Sequence, residues 1–239
     1  MLFIIGLGLN DEGDLTLKAI DCLRKSEKVY AEFYTNIWQG DLRNLQKIIG
    51  KNIDILDREK VESSFLIEEA GHSDISLLVP GDPLSATTHY ELFALARDRG
   101  IKCNIIHAPS IYTAVAKTGL QLYKFGRSTT LPKPQKGYEP SSPYDAILSN
   151  QKLGYHTLVL LDIGMTVNEA IDILRKLDNN SILVNRKIIV CSMLGNEKEK
   201  IVYGKIEDIE KMQINSVPSV IIVPGNLNFK EEEYLSKMV

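Results

Sequence analysis

Cysteine is scarce in this chain. Three are present in 239 residues, at Cys22, Cys103 and Cys191. No two form a C-x-x-C pair, so no redox dithiol or thiolate metal site is written in the sequence, and reduced, buried thiols are expected. The four histidines, His72, His89, His107 and His156, show no H-x-x-x-H spacing, which argues against a helix-borne metal site. G-x-S-x-G and P-loop lysine patterns are missing as well, which sets aside the hydrolases and nucleotide hydrolases built on them. No apolar run reaches membrane-spanning length. The formal net charge is only −3, so no basic field draws in nucleic acid. The start, MLFIIGLGL, is apolar but lacks a basic leader and meets Asp11 and Glu12 at once. It reads as a first strand rather than a targeting peptide, and the expectation is a cytoplasmic protein.

What is present is a regular alternation of short apolar runs and helical patterns, which argues for an α/β fold with mostly parallel strands at first. Strands are expected at Leu2 to Ile5, Val29 to Glu32, Ile53 to Leu56, Ile75 to Val79 and Cys103 to His107. Helices are expected from Leu15 to Lys25, with Asp14 as N-cap, and from Asp41 to Ile49, with Gly50 as stop. A boundary is expected near Pro109, giving domains 1–109 and 110–239. In the second, a helix from Ile111 to Lys117 has Ser110 as N-cap and Gly119 as stop. Leu131 to Pro143 holds four prolines and reads as a long loop. Strands at Thr157 to Asp162, Lys187 to Cys191 and Val220 to Val223 suggest a mixed sheet. Thr166 and Glu169 form a capping box. Glu231-Glu232-Glu233 reads as a solvated face.

The most informative stretch is ISLLVPGDPLSATTHYE, Ile75 to Glu91. A buried strand stops at a rigid Pro-Gly-Asp-Pro loop before the next helix. Gly81 permits close approach of a ligand to the backbone. Asp82 places a carboxylate at the strand's carboxyl end, where open α/β sheets bind ligands. An ordinary strand-to-helix turn uses the same residues. Gly6-Leu7-Gly8 after the first strand suggests a dinucleotide fingerprint, with Glu32 as the ribose-binding acid, but the third glycine position is Asp11. VPGD at Val79 and VPGN at Val223 echo each other and suggest two similar strand ends facing one cleft. His89, just past the loop, is either a proton acceptor or a packing residue.

PGDPLSATTH resembles the corresponding loop of the diphthine synthases, members of the tetrapyrrole methylase superfamily. FIIGLGLNDEGDLT, AEFYT at Ala31 to Thr35, HAPSIYTAV, GLQLYKFG and IIVPGNL look like that family too, in the right order. The resemblance implies two α/β domains of the tetrapyrrole-methylase type with S-adenosylmethionine in a cleft between them, and a homodimer. It implies cofactor contacts from Leu9, Asp82, Ser85, Ser110, Ile111, Leu161 and Leu194. A further contact falls at Ser219, where archaeal relatives commonly carry histidine. Ser219 can still donate and accept a hydrogen bond. Relatives tend to have a longer charged stretch where this chain reads Asp162-Ile163-Gly164-Met165-Thr166, either trimmed surface or altered access.

The implied reaction methylates the amino group of a 3-amino-3-carboxypropyl-histidine on translation elongation factor 2, giving diphthine and S-adenosylhomocysteine. The compact length suggests N-methylation alone, without the methyl ester added by eukaryotic relatives. A sulfonium methyl is already electrophilic, so the reaction needs a neutral amine held in line, roughly 3 to 3.5 Å away, more than a nucleophilic residue. No residue is assigned as catalytic, and neither metal nor nucleic acid is implied. A tetrapyrrole methyltransferase, a nicotinamide oxidoreductase and a non-enzymatic S-adenosylmethionine-binding protein are the alternatives.

Overall fold

The first unit is built on short strands, of which the two central ones, Leu2–Gly6 and Ile75–Val79, are buried on both faces. In the computed structural model, which describes residues 1–238, the chain falls into two compact units, Met1–Tyr112 and Thr113–Val239. The first runs β1 (Leu2–Gly6), α1 (Leu17–Lys25), β2 (Lys28–Ala31), α2 (Leu42–Ile49), β3 (Asp54–Ile55), α3 (Arg58–Glu62), α4 (Phe65–His72), β4 (Ile75–Val79), α5 (His89–Asp98) and β5 (Cys103–Ile106). The strands pair in the order β3-β2-β4-β1-β5, all parallel. Because side chains alternate along a strand, Leu2, Ile4, Ile75 and Leu77 pack with Leu66, Ala70, Leu92 and Ala96 of α4 and α5. Phe3, Ile5 and Leu78 pack with Leu23 and Leu45 of α1 and α2 on the other face. Truncating Ile4 or Leu77, both fully buried, to alanine would cost about 2–5 kcal/mol.

A single α-turn, α6 (Ile111–Ala114), continues into a 3-10 turn at Val115–Thr118. The expected helix to Lys117 is therefore tightened rather than regular. It stops at Gly119, whose φ of 82° suits glycine. The second unit then runs β6 (Thr129–Leu131), α7 (Ser142–Leu153), β7 (Thr157–Leu161), α8 (Val167–Leu177), β8 (Lys187–Ser192), β9 (Lys200–Lys205), α9 (Ile206–Lys211), β10 (Ser219–Val223) and α10 (Phe229–Ser236). Its order is β6-β7-β10-β8-β9. Only β6 and β7 are parallel, so the sheet is mixed. Val159, Val190 and Ile221 of the sheet pack with Ile147, Ile171, Leu174 and Ile209 of its helices.

Several expectations need correction. Thr16, not Asp14, caps α1, accepting from Ala19 N–H at 3.1 Å. The proline-rich loop is shorter than expected. Leu131 belongs to β6, and Pro143 sits in the first turn of α7, where proline's missing N–H costs nothing. Between them, Gln135 and Tyr138 bridge around Gly137. Two of the cysteines are only half-buried: Cys22 and Cys103 are intermediate, Cys191 is buried, and all three are free. Burial pushes the Cys103 thiol up to about 11 and that of Cys191 up to about 12, so both are protonated near neutrality. Glu231 is fully buried rather than solvated. No helix among the described residues is long and apolar enough to cross a membrane.

Candidate functional site

At the carboxyl end of the first sheet, the loops after β1 and β4 are tied together by their backbones. Leu7 N–H donates to Val79 C=O at 2.8 Å, and Gly8 and Gly81 exchange hydrogen bonds of 3.1 and 2.8 Å. This contact explains the glycine pair without a dinucleotide. A Cβ on Gly6 would lie 2.5 Å from Gly81 O, and one on Gly8 would lie 2.2 Å from Asp14 Cβ. Asp14, read from sequence as a helix cap, instead accepts from Leu9 N–H and Asn10 N–H, both at 2.8 Å. Its signal in the sequence is only an acid six residues past the second glycine.

Glu32, the acid of the dinucleotide reading, is fully buried and turned onto its own loop. It accepts from Tyr34 N–H at 3.0 Å, Thr35 N–H at 3.1 Å and the Thr35 hydroxyl. Burial raises its pKa, against the pull of the Thr35 and Tyr34 hydrogen bonds. A carboxylate held this way is a poor candidate for a ribose.

Asp82 is 7% exposed and joins two loops. Oδ1 accepts from Leu84 N–H at 3.0 Å and Ser85 Oγ at 3.2 Å. Oδ2 stands 2.7 Å from His107 Nδ1 and accepts from Ala108 N–H at 3.3 Å. The acid therefore fixes the loop after β4 against the loop after β5. Gly81, beside it, has a φ of 73°, and open space lies where its Cβ would be. Leu9, Ser85 and Ile111 are half-exposed, and Ser110 is buried with its Oγ accepting from Tyr112 N–H at 3.3 Å. Leu9, Asp82, Ser85, Ser110 and Ile111 thus all lie on loops or a helix start that follow β1, β4 and β5.

The other expected residues belong to the second unit. Leu161 ends β7, and Leu194 follows β8, 5% exposed. Ser219 opens β10 directly opposite Ser192. Its hydroxyl lies 2.9 Å from Ser192 Oγ and 2.7 Å from Ser216 C=O, enclosed in a serine cluster. The short Asp162 loop is tight: Asp162 accepts from Lys133 N–H and Ile163 N–H at 2.9 and 2.8 Å, and Gly164 takes a φ of 67°. The VPGD and VPGN strand ends differ. Gly81 has positive φ and open space, whereas Gly225 is pinned, its Cβ position 2.4 Å from the carbonyls of Gly154 and Tyr155. Among the described residues no cluster of histidine, cysteine or acids fits a metal.

Two further polar groups of the first unit are His89 and Tyr34. His89, the first residue of α5, is 2% exposed. Neither its ring nitrogens nor the Tyr34 hydroxyl has a hydrogen-bond partner. His89 Nε2 stands 3.6 Å from Glu32 Oε1, but burial pushes the imidazole down to about 4, so it is neutral near pH 7.

The fold and this loop system are those of a methylase class. A family profile described as Tetrapyrrole (Corrin/Porphyrin) Methylases matches residues 1–210. The relatives narrow it. The chain is 45% identical to the diphthine synthase of Methanococcus aeolicus, covering 98% of this chain and 96% of the relative. It is 44% identical to that of Methanocaldococcus jannaschii, covering 98% and 97%. A crystal structure of a diphthine synthase superposes with a TM-score of 0.92 at 32% identity, covering 100% of this chain and 96% of that one. The chain belongs to the diphthine synthase family of tetrapyrrole-methylase-type methyltransferases.

Proposed function

We propose that this chain transfers methyl groups from S-adenosylmethionine to the amino group of 3-amino-3-carboxypropyl-histidine on elongation factor 2, giving diphthine. The observation that carries this reading is 45% identity to a diphthine synthase across 98% of the chain. We place the cofactor at Leu9, Asp82, Ser85, Ser110 and Ile111 of the first unit; Leu161, Leu194 and Ser219 of the second unit are the further contacts that the family resemblance implies. The residues fit such a ligand. Gly81 offers bare backbone beside open space, Leu9 and Ile111 offer apolar contact, and Ser85 and Ser110 offer hydroxyls. S-adenosylmethionine, when bound, supplies an electrophilic methyl group.

The protein's own part is orientation. Asp14 holds the backbone N–H groups of Leu9 and Asn10 by one hydrogen bond each, and Asp82 holds the loops bearing Ser85 and Ala108. Groups fixed in this way cost little further ordering when a ligand binds. The reading also takes the protein to be cytoplasmic and dimeric. Calorimetry is expected to show S-adenosylhomocysteine binding and no NADH binding. The deciding test is methyl transfer to elongation factor 2 carrying the unmethylated arm, read by mass spectrometry. Mass increments of methyl groups on the modified histidine are expected. Transfer to a uroporphyrinogen-type macrocycle, with none to the factor, would overturn the assignment; cofactor binding without turnover on either would leave a binding protein.

A further inference from the structure

Thr88 to Glu91 spells T-x-x-E at the start of a helix, the sequence of a capping box. Among the described residues two helices close such a box. Thr166 with Glu169 caps α8, and Asn228 with Glu231 caps α10. At α5 the box stands open: Thr88 makes no side-chain cap. Glu91 N–H instead bonds to Thr88 C=O at 2.9 Å. The first-turn N–H groups of a ten-residue helix are therefore left without a side-chain acceptor, and they carry its partial positive charge.

The open box faces a cavity of about 230 Å³ within the first unit. Its lining includes Tyr34, Glu62, Thr88, His89, Glu91 and Leu92. The floor is buried, with His89 at 2% and Leu92 at 6% exposure, while Thr88, Glu62 and Glu91 stand at an exposed rim. Both His89 nitrogens and the Tyr34 hydroxyl are buried there without partners. Unpartnered buried polar groups are uncommon and ask for an explanation. Arg58 lies 5.5 Å from the Tyr34 ring centre and pairs with Glu62 at 2.9 Å. Glu91 is not so paired.

These groups match one chemistry. Uncapped N–H groups at a helix start receive a carboxylate. The Glu91 carboxylate at the exposed rim receives an ammonium, which gives up a proton to solvent there before the neutral amine accepts a methyl group. A neutral imidazole and a phenol hydroxyl can each donate or accept a further bond. A carboxylate and an ammonium side by side are the head of an α-amino acid, and the cavity is below the size of a drug-like site (about 300–1,000 Å³).

We infer that this cavity is the subsite for the α-amino-acid head of the substrate's 3-amino-3-carboxypropyl arm, which rests on the function proposed above. The loop that carries Asp82 and Ser85 runs straight into Thr88, so the acceptor amine is received at the end of the same loop that we assign to the cofactor. S-adenosylmethionine also has an amino-acid head. None of the residues assigned to the cofactor lines the cavity, so the arm of the protein substrate is the occupant we choose.

The test uses the full-length protein with Tyr34→Phe and Glu91→Gln. Removing an unpartnered hydroxyl leaves nothing newly unsatisfied, and Glu91 is exposed, so both variants should melt as the parent does. The KM for elongation factor 2 bearing the unmethylated arm is expected to rise about tenfold in each, roughly the loss of one charge-assisted or buried polar contact. The affinity for S-adenosylhomocysteine, measured by calorimetry, is expected to stay unchanged. An unaltered KM in both variants, with the parent active, would overturn the subsite alone. A parallel loss of S-adenosylhomocysteine affinity would overturn it in favour of the cofactor's own head group. Absence of transfer by the parent would instead overturn the function on which the subsite rests.

Discussion

Asp82 shows how a single side chain can be legible in kind and hidden in its work. Its place at the end of an apolar strand marks it from sequence, where the expectation is that Asp82→Ala weakens cofactor binding more than stability. The structure surrounds its carboxylate with four polar groups of the protein. Truncation should therefore lower the melting temperature as well as S-adenosylhomocysteine affinity, by about 1.5–3 kcal/mol for each lost charge-assisted bond that stays unsatisfied. A melt and a titration on the same preparation separate the two effects. Buried ionisable groups also set an acid limit. Burial pushes His89 down to about 4 and lowers His156, whose Nδ1 accepts from Gly225 N–H at 2.9 Å. The unfolded chain then binds more protons than the folded one below about pH 6.5. Stability from these groups is present above that pH and is lost as pH falls, toward about 4 for His89. Glu231 follows lower: burial alone would raise it, but bonds from Lys124, Asn228, Gln121 and His156 hold it at about 2. Its contribution is present above about pH 4.5 and is lost as pH falls toward 2. Melting temperatures should fall from pH 7 to pH 4, and the fall should be shallower in His89→Asn. An equal slope in parent and variant would show that His89 does not bear it. Glu231 escaped the sequence reading because Lys124 and His156 lie 107 and 75 positions away. An acidic run next to a helix start looks the same whether solvated or buried.

At the scale of elements, legibility followed local chemistry. The capping box at Thr166, the left-handed stop at Gly50 and the strands with both faces buried all declare themselves in a few consecutive residues. Elements that draw their stability from elsewhere did not. β9 is half-exposed along most of its length and is defined by six rungs against β8. α7 begins inside the proline-rich stretch, where Pro143 is a helix-start residue rather than loop punctuation. What remains of that loop runs from Pro132 to Ser141, is exposed from Lys133 to Glu139, and is bridged between Gln135 and Tyr138. We expect it to form part of the rim that receives a protein substrate. Deleting the Gln135–Tyr138 turn should lower methylation of elongation factor 2 while leaving S-adenosylhomocysteine affinity nearly unchanged. Full activity in a folded deletion variant would make the turn a mere connector.

For the whole molecule, the order of strands was the least legible feature. The alternation of strands and helices predicts α/β, but not that β4 inserts between β1 and β2, nor that β10 lies between β7 and β8. Those pairings join residues far apart in sequence and are decided by which buried faces fit together. The resemblance to diphthine synthases carried the fold where local chemistry could not. It also supplies the expectation of a homodimer. The surface offers material for one: Leu17 is 87% exposed, Tyr123 78%, Phe229 73% and Leu153 69%. Single exposed apolar residues are ordinary, so they do not draw an interface by themselves. Light scattering at micromolar concentration should give about twice the chain mass of 26.8 kDa. If Phe229 or Leu153 lies in the contact, its change to aspartate should halve that mass without lowering the melting temperature of the isolated chain. A mass of one chain in the parent protein would remove the dimer from this reading and leave the methyltransferase assignment standing.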